Sequence, residues 1–190
     1  MPAQLGAHEI MEMHEVLTDT IDGINQFELY RPHVTDPQLG TILDNQIQYM
    51  IQEYNQMVAA VNQKMQGQTI PTRQFRQRPI STPSYGLNNP TPERPNASIQ
   101  EMDDRDVASG MLGCAKSSAT LRMHAALECA DPQLRRMLTQ GAVSCAEQAY
   151  ETFQYMNQKG YYQVPTMQTN TTSTMMSMYQ PTYGTSPQIQ

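Results

Sequence analysis

The chain has no tryptophan, three phenylalanines and three lysines in 190 residues. A hydrophobic share of 38% with 7% aromatic is low for a compact enzyme. Part of the length is therefore expected to lie outside a packed core. No apolar run approaches the roughly 18 residues that a membrane-spanning helix needs, so no membrane insertion is expected. The first ten residues, MPAQLGAHEI, have neither a basic n-region nor an apolar h-region. No secretory signal is expected, and synthesis in the cytoplasm follows. The three cysteines, Cys114, Cys129 and Cys145, lack CxxC spacing, which suits neither a zinc site nor a closed disulfide framework. Positive charge is scarce too. The net charge of −6 argues against general nucleic-acid binding, which needs a basic face. Only 16% of residues are charged, and 23 glutamines supply much of the polarity instead. There is no G-x-S-x-G, no phosphate-binding glycine loop and no dinucleotide fingerprint.

What is present is a repeat. Asp36-Pro37-Gln38-Leu39 recurs 95 residues later as Asp131-Pro132-Gln133-Leu134, and Leu43 then meets Leu138. Further on, Asn62-Gln63-Lys64 meets Asn157-Gln158-Lys159. Identity clusters at both ends of a segment nearly 30 residues long, which points to a duplicated unit. Each copy opens with an aspartate able to cap a helix and a proline at the first helical position. Each closes on a lysine, followed by Gly67 or Gly160. Between these signals, Leu39, Leu43, Ile47, Met50, Tyr54, Met57 and Val61 form one helical stripe. In the second copy Leu134, Leu138, Ala142, Cys145, Ala149, Thr152 and Met156 form a stripe of smaller residues that lets a neighbour come close.

A helix precedes each of these. One spans about 7–30, with Ile10, Met13, Leu17, Ile21, Ile24 and Phe27 on one side and Glu9, Glu12, Glu15, Asp19 and Asp22 mostly off it. The other spans about 103–129, with Val107, Met111, Cys114, Ala115, Ser118, Leu121 and Ala125 inward. Short turns at 30–36 and 129–132 make each pair antiparallel. The reading is all-α: a first helical hairpin over 1–65, a linker over 66–102, a second hairpin over 103–162 and a low-complexity tail over 163–190. The two hairpins are expected to form one four-helix bundle.

The linker carries six prolines and four arginines. Extended, it reaches about 100 Å, enough to run the length of a bundle and to permit a ferritin-like topology with parallel second and third helices. Arg73, Arg76 and Arg78 beside Phe75 either dock an acidic partner or lie over the acidic bundle. The tail has no charged side chain and is expected to lack fixed structure when alone, with Tyr179 and Tyr183 available to similar surfaces.

Candidate chemistry is sparse. A ferritin-like dimetal centre needs Glu-x-x-His on two helices. Glu12, Glu53, Glu147 and Glu151 are followed three residues on by Glu15, Gln56, Tyr150 and Gln154, so the motif is absent. His8 and Glu12 share a face with Glu15 and Asp19, which reads as an exposed acidic surface near a helix start rather than a metal site. His14 reads as a boundary residue, and His124 with Glu128 as a surface contact. Cys114 and Cys145 fall on core stripes as potential neighbours, bridged or free. The interior is expected to be oily, with no catalytic residue, metal or cofactor.

The second hairpin also carries Asp104-Arg105-Asp106, Met111-Leu112, Lys116, Glu128, Asp131-Pro132-Gln133-Leu134-Arg135, Tyr155-Met156 and Lys159-Gly160-Tyr161-Tyr162. In order and spacing this resembles the spore coat protein F family of endospore-forming bacteria over about 104–162, and more weakly over the first hairpin. The resemblance implies a ferritin-like four-helix bundle without catalytic metal, made in the mother cell and placed in the spore coat. Other coat proteins and further copies of the chain are the implied partners. The linker and tail depart from the family pattern. The expected function is a non-enzymatic structural component, with exposed glutamine and tyrosine open to covalent cross-linking. The alternatives are a ferritin-like metal-binding oxidoreductase with an irregular site, and a self-associating adaptor outside spores.

Overall fold

The computed structural model describes residues 5–62, the backbone of 63–65, and residues 75–76 and 80–182. Four long helices dominate: α1 (Ala7–Tyr30), α2 (Pro37–Met65), α3 (Asp104–Glu128) and α4 (Pro132–Gln158). A short helix, α5 (Thr169–Ser177), follows. Among the described residues the fold is all-α, with isolated bridges from Tyr85 and Gly86 to Val164 as the β-type pairing.

The helix starts are locally encoded. Asp131 accepts from the backbone amides of Gln133 and Leu134 at 2.9 and 3.0 Å, and Pro132 follows where a missing N–H costs nothing. Asp36 accepts from Gln38 at 2.8 Å. Asp103 accepts from Arg105 and Asp106, while the Asp106 carboxylate returns to the Asp103 amide, a reciprocal cap. Helix α4 stops where Gly160 takes φ +76°, a left-handed conformation that suits glycine. The matching Gly67 lies outside the described residues.

Contacts between helix ends give their directions. Asp104, at the start of α3, accepts from the backbone of Thr35 and Asp36, at the start of α2. Glu9, at the start of α1, accepts from the Asp131 amide, at the start of α4. Helices α2 and α3 are therefore parallel to each other, and each is antiparallel to α1 and α4. Of the crossover from α2 to α3, Phe75, Ile80, Ser84 and Asn88 follow α4 in the same direction. Phe75 donates its amide to Ser144, Ile80 to Gln154, Ser84 to Asn157 and Asn88 to Gln163. Phe75 is buried edge-on to Tyr49, with centroids 5.1 Å apart, and Arg76 beside it is exposed. Arg73 and Arg78 lie outside the described residues.

Two apolar layers fill the interior. One holds Phe27, Leu39, Leu43, Ile47, Met111, Tyr155 and their neighbours; the other holds Met13, Val16, Met57, Leu134 and Leu138. Each fully buried side chain of this size contributes about 1.5–3 kcal/mol. The stripes expected on α2 and α4 face inward: Leu39, Leu43, Ile47, Met50, Met57 and the whole α4 set are buried.

Helix α1 is rotated from its expected face. It buries Glu9, Met13, Val16, Thr20, Gly23 and Phe27, while Ile10 and Ile21 are exposed. The rotation brings Gly23 against α3, where an added Cβ would sit 3.2 Å from Cys114 Sγ. The tail also differs from expectation, since Thr169–Ser177 is helical; Tyr183 lies outside the described residues.

Candidate functional site

Between the apolar layers lies a polar one, so the interior is not uniformly oily. Its centre is Arg122, 2% exposed. Nη1 donates to Asp19 Oδ2 at 3.1 Å. Nη2 donates to Glu53 Oε2 at 3.3 Å and to Thr20 Oγ1 at 2.7 Å. Ser118 donates to the same Asp19 oxygen at 2.7 Å. Three side chains from α1 and α2 thus hold one guanidinium, and Ser118 of α3 steadies one of them. The fork of donors matches two carboxylates approaching from different helices, a geometry that a lysine ammonium does not supply.

The space for this group comes from Gly141 on α4. An added Cβ there would lie 2.9 Å from Glu53 Oε1 and 3.1 Å from Arg122 Cδ. Alongside, Gln46 donates to the Gln148 carbonyl, Glu151 Oε2 and Thr152 Oγ1 at 3.2, 2.9 and 3.3 Å. Ser144 accepts from Tyr49 Oη and the Phe75 amide and donates to the Gln140 carbonyl, which uses its full hydroxyl capacity.

Burial disfavours the Arg122 charge, but the carboxylates of Glu53 and Asp19 beside it outweigh burial and hold the guanidinium charged. Burial pushes Glu53 up, with Arg122 opposing. Cys145 is pushed up to about 12 by burial, and Cys114 is raised for the same reason. Both line one narrow cavity with Arg122 and Gln148, and both are free thiols. Because the thiolate is the nucleophile and the metal ligand, these cysteines are poor candidates for either task. Cys129 is also free and is raised to about 11 by burial.

The remaining sequence candidates are on the surface. His8 does not pair with Glu12; it stands 3.9 Å from Glu128. His124 stands 3.9 Å from Glu12 rather than against Glu128. The exchange arises because α1 and α3 lie side by side, so neighbours across the interface replace neighbours along the helix. His14 is exposed. Among the described residues no group of three or more His, Cys, Asp or Glu is placed to hold a metal ion, and no helix is long and apolar enough to cross a membrane. Asp19 and Glu53 do converge at the centre, but on an arginine. Sequence reading missed Arg122, Gly141 and the buried Glu9; the one available signal was an arginine at a position that continues the inward stripe of α3.

A second polar cluster closes the end where α4 stops. Lys159 Nζ lies 2.7 Å from Asp36 Oδ2, and Tyr155 Oη donates to the same oxygen at 3.1 Å. The Lys159 ammonium, hydrogen-bonded to it, holds Asp36 below the usual carboxylate range. Arg105 pairs with Glu93 of the crossover. These contacts tie the start of α2 to the end of α4, and the start of α3 to the crossover.

Residues 103–165 match the Coat F domain. The chain is 31% identical over 185 residues to the spore coat protein F-like protein YhcQ of Bacillus subtilis (strain 168), covering 97% of this chain and 85% of that one. The fold is similar to the crystal structure of BH2358 from Bacillus halodurans C-125, a provisionally assigned spore coat protein. The TM-score is 0.62 at 15% identity, over 87% of this chain and 96% of the other. By near-complete overlap with YhcQ, and with the Coat F domain on its α3–α4 half, the chain belongs to the spore coat protein F-like family.

Proposed function

We propose that the protein is a non-enzymatic structural component of the bacterial spore coat that associates with other coat proteins and with its own copies. The single observation that carries the non-enzymatic reading is the buried guanidinium. The two carboxylates that converge inside the fold, Asp19 and Glu53, are both engaged by Arg122. Membership of the spore coat protein F-like family supports the location.

The architecture proposed with it is a ferritin-like four-helix bundle built from two duplicated hairpins joined by the crossover. Support comes from the parallel α2 and α3 and from equivalences at the 95-residue offset. Glu9 accepts from the Asp131 amide at 2.5 Å; its equivalent, Asp104, accepts from the Asp36 amide at 3.2 Å. Tyr49 hydrogen-bonds to its own equivalent, Ser144, as expected beside a twofold axis. The hairpins of 1–65 and 103–162 would then be one domain, with 66–102 as strap and 163–190 as tail.

Fluorescence imaging of a tagged copy through sporulation tests the location: a ring at the spore surface is expected, and diffuse mother-cell signal would refute it. Metal analysis of purified protein tests the chemistry. Stoichiometric iron or manganese retained through chelation would replace the scaffold with a metal-dependent oxidoreductase.

A further inference from the structure

The outer face of α3 and α4 carries an open apolar groove of about 540 Å³, lined by Ala119, Met123, Leu127, Val143, Ala146 and their neighbours. Leu127 is 70% exposed there. The one ionisable lining residue is His124, facing Glu12 across its edge. The alanines lower the groove floor, so an approaching helix can come close. Separately, α5 buries none of its residues, and Met175, Met176, Met178 and Tyr179 are all exposed. Helical turns continue through Tyr179, whose amide reaches the Met176 carbonyl. Met175 and Tyr179, four apart, therefore share a face. Isolated helices this short are marginal in water, so α5 is a helix in need of a surface.

We propose that α5 of one copy docks into the α3–α4 groove of a second copy. Charge matches: the segment from Gln163 onward has no charged side chain, and an uncharged helix enters an almost uncharged groove without a desolvation penalty for ions. The folded chain does not fill its own groove: α5 buries none of its residues, while Met123, Leu127 and Val143 all stay exposed. Both partners of the contact are thus open on every copy, which favours a second copy over the chain itself. The contact is head-to-tail, so it propagates into rows rather than closing as a symmetric dimer. This deepens the scaffold reading by naming one self-contact, and its test is independent of where the protein resides in the cell.

Sedimentation velocity of the full chain over a concentration series is the experiment. The mass is expected to rise above the 21.5 kDa monomer with concentration. A tail variant, Met175→Glu with Met176→Glu, and a groove variant, Leu127→Glu with Val143→Glu, should each weaken association about tenfold or more. Mixed together, they retain one intact contact and should form pairs that grow no further. All four positions are exposed or at the surface, and circular dichroism checks that helicity is kept; if the groove variant loses it, truncation after Pro165 supplies the second arm. A full chain that stays monomeric throughout, as it would if α5 covered its own groove, overturns the proposal. So does association that persists unchanged in both variants.

Discussion

Positions 27 and 122 are 95 residues apart, as are 46 and 141, and α1–α2 fills them differently from α3–α4. The first pair of helices has Phe27 and Gln46; the second has Arg122 and Gly141. Phe27 sits inside an apolar layer. Arg122 draws Asp19 and Glu53 into a polar one, and Gly141 gives up its side chain to make the room. The lesson is that layers of one interior, each fed by helices from both ends of the chain, can run on different physics. The apolar layers are stabilised by non-directional burial and tolerate shape-conserving changes. The polar layer depends on paired charges, where losing one partner strands the rest.

The sharpest way to break this contrast is Arg122→Ala. It leaves the buried Glu53 and the half-buried Asp19 without their shared counter-charge and is expected to cost about 3–5 kcal/mol, measured by chemical denaturation. Phe27→Ala costs a similar amount by a different route, about 3–5 kcal/mol of lost burial and cavity. The two are told apart by adding Glu53→Gln to each: it should recover part of the loss in the Arg122→Ala chain and none in the Phe27→Ala chain. Gly141→Ala comes next, at about 1–3 kcal/mol of overpacking. That penalty should shrink in the Arg122→Ala background, because the new methyl then occupies vacated space, and a double-mutant cycle reads the coupling.

Smaller still is the comparison between the two caps. Glu9→Ala and Asp104→Ala each remove an acceptor from a neighbouring helix start, at about 0.5–2 kcal/mol. The Glu9 change should be the larger, since Glu9 is buried and also accepts from the Gly6 amide. Thermal midpoints of the two variants rank them. The smallest effect belongs to the Asp36–Lys159 pair. Because the folded value of Asp36 is depressed, its contribution is present above the ordinary carboxylate value and is lost as pH falls through the folded one. Asparagine keeps the cap but not the charge. The stability gap between wild type and Asp36→Asn at neutral pH should therefore close below about pH 4, as followed by acid titration of helicity.

Much of the fold was legible in the sequence because its signals are local. Asp-Pro starts, the glycine stop at 160 and the stripes of α2 and α4 all read correctly within a few turns of chain. The face of α1 did not, because Ile10 and Ile21 imitate a core stripe while the inward positions are Glu9, Thr20 and Gly23. The polar centre was illegible for the same kind of reason. Arg122 meets Asp19 and Glu53 across separations of 103 and 69 residues, and no local rule announces that a charge will be buried when its partners lie so far away. Gly141 looked like a weak helix residue, although its value is the volume it leaves to others. The tail helix was hidden by threonine and asparagine, which favour turns and caps over helix interiors.

The guanidinium has one more consequence. A cation that is part of the chain cannot be leached, exchanged or reduced, as a bound metal ion can. The pairing of Asp19 and Glu53 with Arg122 comes with the polypeptide itself, and the stability it contributes should be indifferent to how much iron, manganese or chelator surrounds the protein.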